Sequence, residues 1–177
     1  MLSSPRVDHP SRRTLLRAAA LALAAPACAG ALPPSQASSL WGEPAPRLAH
    51  AAIDGRLVDS TALAGKVLVV DFFASYCKPC ERTLPALRRL ARRDRDLQVV
   101  GVGEDEELAL VASMAQRHGL DFPVLHDRGN VLAARFRVDR LPATFVIDGG
   151  GRVRWVGGAE EDEDDLARVV RAVRRVG

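Results

Sequence analysis

Cysteine is scarce, with three in 177 residues. That is too few for the disulfide-dense scaffold of a small secreted domain. Long apolar runs are missing too. The alanine- and leucine-rich stretch Ala18–Ala25 falls well short of the ~20 residues that span a bilayer. After residue 29 there is no excess of either charge. Arg6, Arg12, Arg13 and Arg17, set against Asp8, make up the whole net charge of +3, and the remaining acidic and basic side chains cancel. Nucleic-acid binding, which needs a basic face on the folded domain, is not expected. No second cysteine pair completes a four-ligand zinc site, and no Lys-Ser/Thr follows Gly149-Gly150-Gly151 to make a phosphate loop. No internal repeat is present. What is abundant is apolar side chain, at 47%. That is enough for a packed core and rules out wholesale disorder. The length suits one domain with a tail.

Residues 11–29 combine arginines, a short apolar stretch and small residues ending in Pro26-Ala27-Cys28-Ala29. This order describes an export signal. Ser11-Arg12-Arg13-Thr14-Leu15-Leu16 resembles a twin-arginine signal, with Leu15 where Phe is common; a Sec signal with two arginines is the alternative. Cys28 is either the lipidated first residue of a mature lipoprotein or part of an Ala-x-Ala site that is cut away. The expected location is therefore periplasmic, or membrane-anchored facing the periplasm. Residues 30–46, rich in Ala, Pro and Ser, read as a linker. The folded domain is expected over 47–177.

Within it, Asp54-Gly55 between two short apolar runs predicts a hairpin. Ser60–Gly65 reads as a single helical turn. Val67–Phe73, apolar except for Asp71, predicts a strand buried on both faces. A helix follows over about Lys78–Arg93, with Leu84, Leu87 and Leu90 inward and a kink at Pro85. Leu97–Val102 is a second buried strand. Glu106–His118 is a helix with Leu108, Val111, Ala112 and Ala115 inward, ending at Gly119. A short strand (Phe122–Leu125), a short helix (Asn130–Phe136) and two strands (Ala143–Ile147, Val153–Val156) come next. The last helix follows Gly158-Ala159 on a stripe of Leu166, Val169, Val170 and Val173. Alternating βαβα followed by a hairpin and a helix indicates an α/β sandwich. Glu160–Asp165 reads as the acidic first turn of that helix, with docking of a basic partner as the alternative.

Cys77-Lys78-Pro79-Cys80 follows the buried strand directly and opens the helix. Two cysteines at this spacing can bridge each other. The first meets the unpaired N–H groups and positive dipole end of the helix, which stabilise a thiolate, and Lys78 adds charge beside it. Cys77 is therefore the expected nucleophile and Cys80 the more buried, resolving thiol. A purely structural disulfide would constrain little of the unfolded chain at so tight a loop. Half of a zinc or copper site is the other alternative, but His9, His50, His118 and His126 all lie far from the pair in sequence.

The run Gly65–Cys80 and the run Leu141-Pro142-Ala143-Thr144-Phe145-Val146-Ile147-Asp148, with the late Gly151-Arg152-Val153 turn, resemble the thioredoxin fold. More narrowly, the chain from about Arg47 to Gly177 is similar to the exported TlpA/ResA-like thiol-disulfide oxidoreductases. The resemblance implies a central mixed sheet flanked by helices, with the hairpin as an N-terminal extension. It implies that Pro142 is a cis-proline against the redox pair. A substrate segment would then pair with the backbone of Leu141 and lie against Tyr76, Lys78 and Pro79. Asp71, six residues before Cys77, matches the buried acid of thioredoxin and would accept the proton of Cys80, with a pKa raised by burial. The chain departs from the family at Phe73 and Tyr76, where Trp is common, at Thr83, where an acid is frequent, and at Arg140, where Gly is frequent. Glu81 is the nearest acid to replace the one missing at Thr83.

The implied reaction is reduction of protein disulfides, for example on apocytochromes. It needs protein dithiol or disulfide substrates and a membrane or envelope electron donor. No cofactor is called for, and a monomer is expected. The alternatives are an envelope disulfide oxidant and a copper- or zinc-binding thiol module. Peroxidase chemistry is disfavoured by Ala74, which stands three residues before Cys77 in place of threonine.

Overall fold

A computed structural model describes residues 32–176. The segment expected to act as an export signal, residues 1–29, and with it Cys28, lies outside the described residues. Chain order is β1 (Ala49–Ala51), β2 (Leu57–Asp59), a 3₁₀ turn (Ser60–Leu63), β3 (Leu68–Phe73), α1 (Cys80–Arg93), β4 (Gln98–Gly103), α2 (Leu108–Arg117), β5 (Val124–His126), α3 (Val131–Arg135), β6 (Ala143–Ile147), β7 (Val153–Gly157) and α4 (Glu163–Arg174). β1 and β2 form the expected antiparallel hairpin. The other five strands form one mixed sheet in the order β5-β4-β3-β6-β7. β3 runs parallel to β4 and antiparallel to β6, so it lies at the centre. All six of its side chains are buried, as a strand covered on both faces requires.

Alternation along β3 divides the core. Val69 and Phe73 face the layer that holds Leu84, Leu87 and Leu90 of α1 with Leu166, Val169, Val170 and Val173 of α4. Leu68, Val70 and Phe72 face the layer of Leu132, Phe136, the hairpin and Leu40. Phe72, Phe136 and Phe145 form a cluster with ring centroids 5.2–5.8 Å apart. Full burial of each such ring contributes about 1.5–3 kcal/mol.

Two expectations are corrected. In α2 the docking stripe is Val111, Met114 and Ala115, while Leu108 is half exposed in the first turn. The periodicity fitted both sets of residues; the docked one lies further along the helix, where the sheet is. The domain also begins before residue 47. Residues 36–45 lie along the outer edge of β7: Gly42 N–H donates to Val153 O (2.8 Å), Val153 N–H to Glu43 O (2.9 Å), Ala45 N–H to Gly151 O (2.8 Å) and Gln36 N–H to Val156 O (3.1 Å). Composition hid this, because the non-proline residues between the prolines supply the donors. At the opposite edge Ile53 N–H donates to Val124 O (2.8 Å) and Ala52 bridges Leu125. Of the acidic run, Glu163, Asp164 and Asp165 form the first turn of α4 and Asp162 caps it in a reciprocal capping box with Asp165, while Glu160 and Glu161 precede the helix. Glu163 meets Arg89 and Arg93 of α1 at 2.6 Å each.

Candidate active site

β3 ends at the sheet's centre, and the next six residues lead into α1. Asp105, just beyond β4, holds this turn. Its carboxylate accepts from Ser75 N–H (2.9 Å) and Ser75 Oγ (2.6 Å), and its own carbonyl lies 2.8 Å from His126 Nε2. Two strand ends are thereby tied to the loop that carries the cysteines. Cys77 and Cys80 are joined as a disulfide. Cys80 is the first residue of α1, so the whole motif precedes the helix body. Cys80 N–H points back at Cys77, 3.1 Å from its O and 3.2 Å from its Sγ. That donor would favour a thiolate on Cys77 when the bond is open. Exposure separates the two residues: Cys77 retains 6% and Cys80 none.

Cys77 opens into a groove of about 540 Å³. Tyr76, Lys78 and Pro79 form one wall, and Val138, Asp139, Arg140 and Leu141 the other. Tyr76 is 73% exposed. The Leu141–Pro142 peptide is cis. Leu141 itself engages in no backbone hydrogen bond among the described residues. The sequence-derived residues Tyr76, Cys77, Lys78, Pro79 and Leu141 thus share one groove, with Pro142 buried beside it.

Asp71 is fully buried and points to the same face of β3 as Val69 and Phe73, the face that carries Cys80 and α1. Its Oδ1 accepts from Thr144 Oγ1 at 2.6 Å, and Oδ2 has no partner. Burial pushes the Asp71 carboxyl up to about 7, with the Thr144 hydrogen bond opposing. Glu81 is turned away from the groove. It faces α2, where Arg117 (3.3 Å) and His118 (3.4 Å) engage it. Thr83 is buried within α1.

Sequence reasoning missed Glu104. It sits at the carboxyl end of β4 beside the motif strand, its N–H donating to Phe73 O at 2.9 Å, and it is one of the residues lining the cysteine groove. Burial, and after it Asp127 and Asp105, push its carboxyl up to about 7. The available signal was position alone: an acid at the end of the strand next to the one feeding the motif.

The AhpC/TSA family profile matches residues 41–156. The chain is 29% identical over 114 residues to the thiol-disulfide oxidoreductase ResA of Bacillus anthracis, covering 63% of this chain and 66% of that one. To ResA of Geobacillus thermodenitrificans it is 28% identical over 135 residues, covering 75% and 78%. Among solved structures it resembles a thiol:disulfide interchange protein of the thioredoxin family from Chlorobium tepidum. That match has 28% identity and a TM-score of 0.67, over 74% of this chain and 95% of that one. The aligned part spans about two thirds of the length of the Bacillus relatives. A thioredoxin-like sheet, a cysteine pair at the head of α1 and these relatives together place the chain in the AhpC/TSA family, beside its ResA-like thiol-disulfide oxidoreductases.

Proposed function

We propose that this protein is an exported thiol-disulfide oxidoreductase that reduces disulfides in other proteins through Cys77 and Cys80. The observation that carries the reading is the asymmetry of the pair. Cys77 borders an open groove and receives a backbone N–H, while Cys80 is sealed beneath it. Reduced Cys77 attacks a client disulfide and forms a mixed disulfide. Cys80 then attacks Cys77, releases the client as a thiol and leaves the pair oxidised. Asp71, on the face of β3 that carries Cys80 and with one oxygen free, accepts the Cys80 proton. The free backbone of Leu141 offers an extended client segment a place to pair, with Tyr76, Lys78, Pro79 and Pro142 around it. A membrane or envelope electron donor restores the dithiol. Export rests on the pattern of residues 11–29. Among the described residues no helix is long and apolar enough to cross a membrane.

The test is a Cys80→Ser variant, which should accumulate clients covalently on Cys77; absence of adducts would refute dithiol exchange. Direction is read from the reduction potential. A value near −270 mV supports a reductant and one near −120 mV an oxidant, since these are about the potentials of thioredoxin and of a strong oxidant.

A further inference from the structure

Three carboxylates cluster at the mouth of the sheet beside the cysteine groove. Two have full structural employment. Asp105 holds Ser75, and Asp127 caps α3 by accepting from Leu132 N–H and Ala133 N–H at 2.8 Å each. Glu104 has none. It lines the groove with Cys77, and its Oε1 is buried without a hydrogen-bond partner. A buried carboxylate oxygen without a donor is costly when ionised and satisfied when a proton sits on the group. The groups facing it are Asp105 and Asp127 from behind, Tyr76 and Lys78 from the motif loop, and Asp139 and Arg140 from the cis-proline loop. The two nearest charges at its back are negative, and they too favour the protonated form.

We propose that Glu104 is a further catalytic residue, the general acid that protonates the client sulfur expelled when Cys77 attacks. The inference rests on the exchange reading given above. In that step a bond forms between Cys77 Sγ and one client sulfur while the client's S–S bond breaks. The other client sulfur leaves with the electron pair, and the Glu104 carboxyl gives it a proton. The product is a client thiol, and Glu104 regains its proton from water. Resolution by Cys80 then completes the two-electron transfer: client disulfide to two thiols, dithiol to disulfide. Asp71 and Glu104 thus divide the protons, one serving the buried resolving sulfur and the other the departing one. A carboxyl titrating near 7 matches that task at neutral pH.

The experiment uses the Cys80→Ser protein, so that only the first step is read, with and without Glu104→Gln. Adduct formation on Cys77 is timed with two uncharged disulfides. From bis(2-hydroxyethyl) disulfide an aliphatic thiolate of pKa about 8.5 or above departs, which needs a proton. From 2,2′-dipyridyl disulfide the leaving group departs as a stable thione and needs no acid on sulfur. Glu104→Gln is expected to lower the aliphatic-to-pyridyl rate ratio by about tenfold or more, against the ~10²–10⁴ typical of positioned acids. Glu104→Asp should restore part of it. With Glu104 intact the ratio should fall as pH rises through about 7, and that limb should vanish in the Gln variant. An unchanged ratio, whether both rates drop together or neither does, would overturn the proposal while leaving the exchange reading intact. No adduct with either disulfide would overturn both.

Discussion

Thr144 and Asp71 sit directly opposite each other on β6 and β3, and the Thr144 hydroxyl donates to Asp71 Oδ1 at 2.6 Å. The pair is sealed from solvent. One carboxylate oxygen is occupied and the other is bare, so the proton has a single place to go. The segment that follows the groove wall at Leu141 therefore also supplies a side chain, that of Thr144, to the acid.

Replacing Asp71 with Asn should flatten a pH dependence of stability. The folded carboxyl titrates near 7, above the ~4 of an unfolded aspartate. Its contribution is full below about pH 4 and is lost as pH rises toward and through 7. The wild type should lose up to about 4 kcal/mol over that window relative to Asp71→Asn. Denaturant midpoints of both oxidised proteins between pH 4 and 8 measure this. Parallel curves would show that Asp71 is ionised at every pH tested.

Thr144→Val keeps the shape and removes the donor. The hydrogen bond favours ionised Asp71, so its loss should move the Asp71 titration about one pH unit higher. Thr144→Ser should return it. Carboxyl chemical shifts followed through a pH titration would decide; an unmoved titration in the Val variant contradicts the assigned hydrogen bond.

Asp105→Ala frees Ser75 from three hydrogen-bond contacts to one charged group. A loss of about 1.5–3 kcal/mol is expected in denaturant unfolding. The amides of Ser75–Cys77 should exchange faster with solvent, and unchanged exchange there would mean the loop is held by other contacts.

Gly157→Ala should act on Trp155. The indole lies against Gly157, and an added Cβ would clash with its Cη2. The ring must move, at about 1–3 kcal/mol. Trp155 is buried and Trp41 is half exposed, and they are the only tryptophans. A red-shifted emission from a folded variant is the expected signature, and an unshifted spectrum would contradict the stacking.

Much of the fold could be read from the chain. Val67–Phe73, the leucines of α1 and the stripe of α4 are continuous or periodic, and burial follows pattern. The cysteine pair was legible because its chemistry depends on local spacing. Leu108 misled because periodicity defines a face without saying how far along the helix the core extends. Residues 36–45 misled because pairing with β7 depends on a few well-placed N–H groups and not on composition. Glu104 and the Thr144–Asp71 bond join segments 31 and 73 residues from their partners Phe73 and Asp71, and no local pattern encodes them.

The covering of β5 by Ala52 and Ile53, and of β7 by residues 36–45, bears on selectivity. Incompletely folded chains carry unpaired strands that zip onto any open sheet margin. Here both margins are already taken by the protein's own chain. The main chain of Leu141, beside Cys77, is not taken in this way: it engages in no backbone hydrogen bond among the described residues. On the exchange function proposed above, an extended client turned away from both sheet margins still finds free backbone at Leu141, next to the sulfur that would react with it.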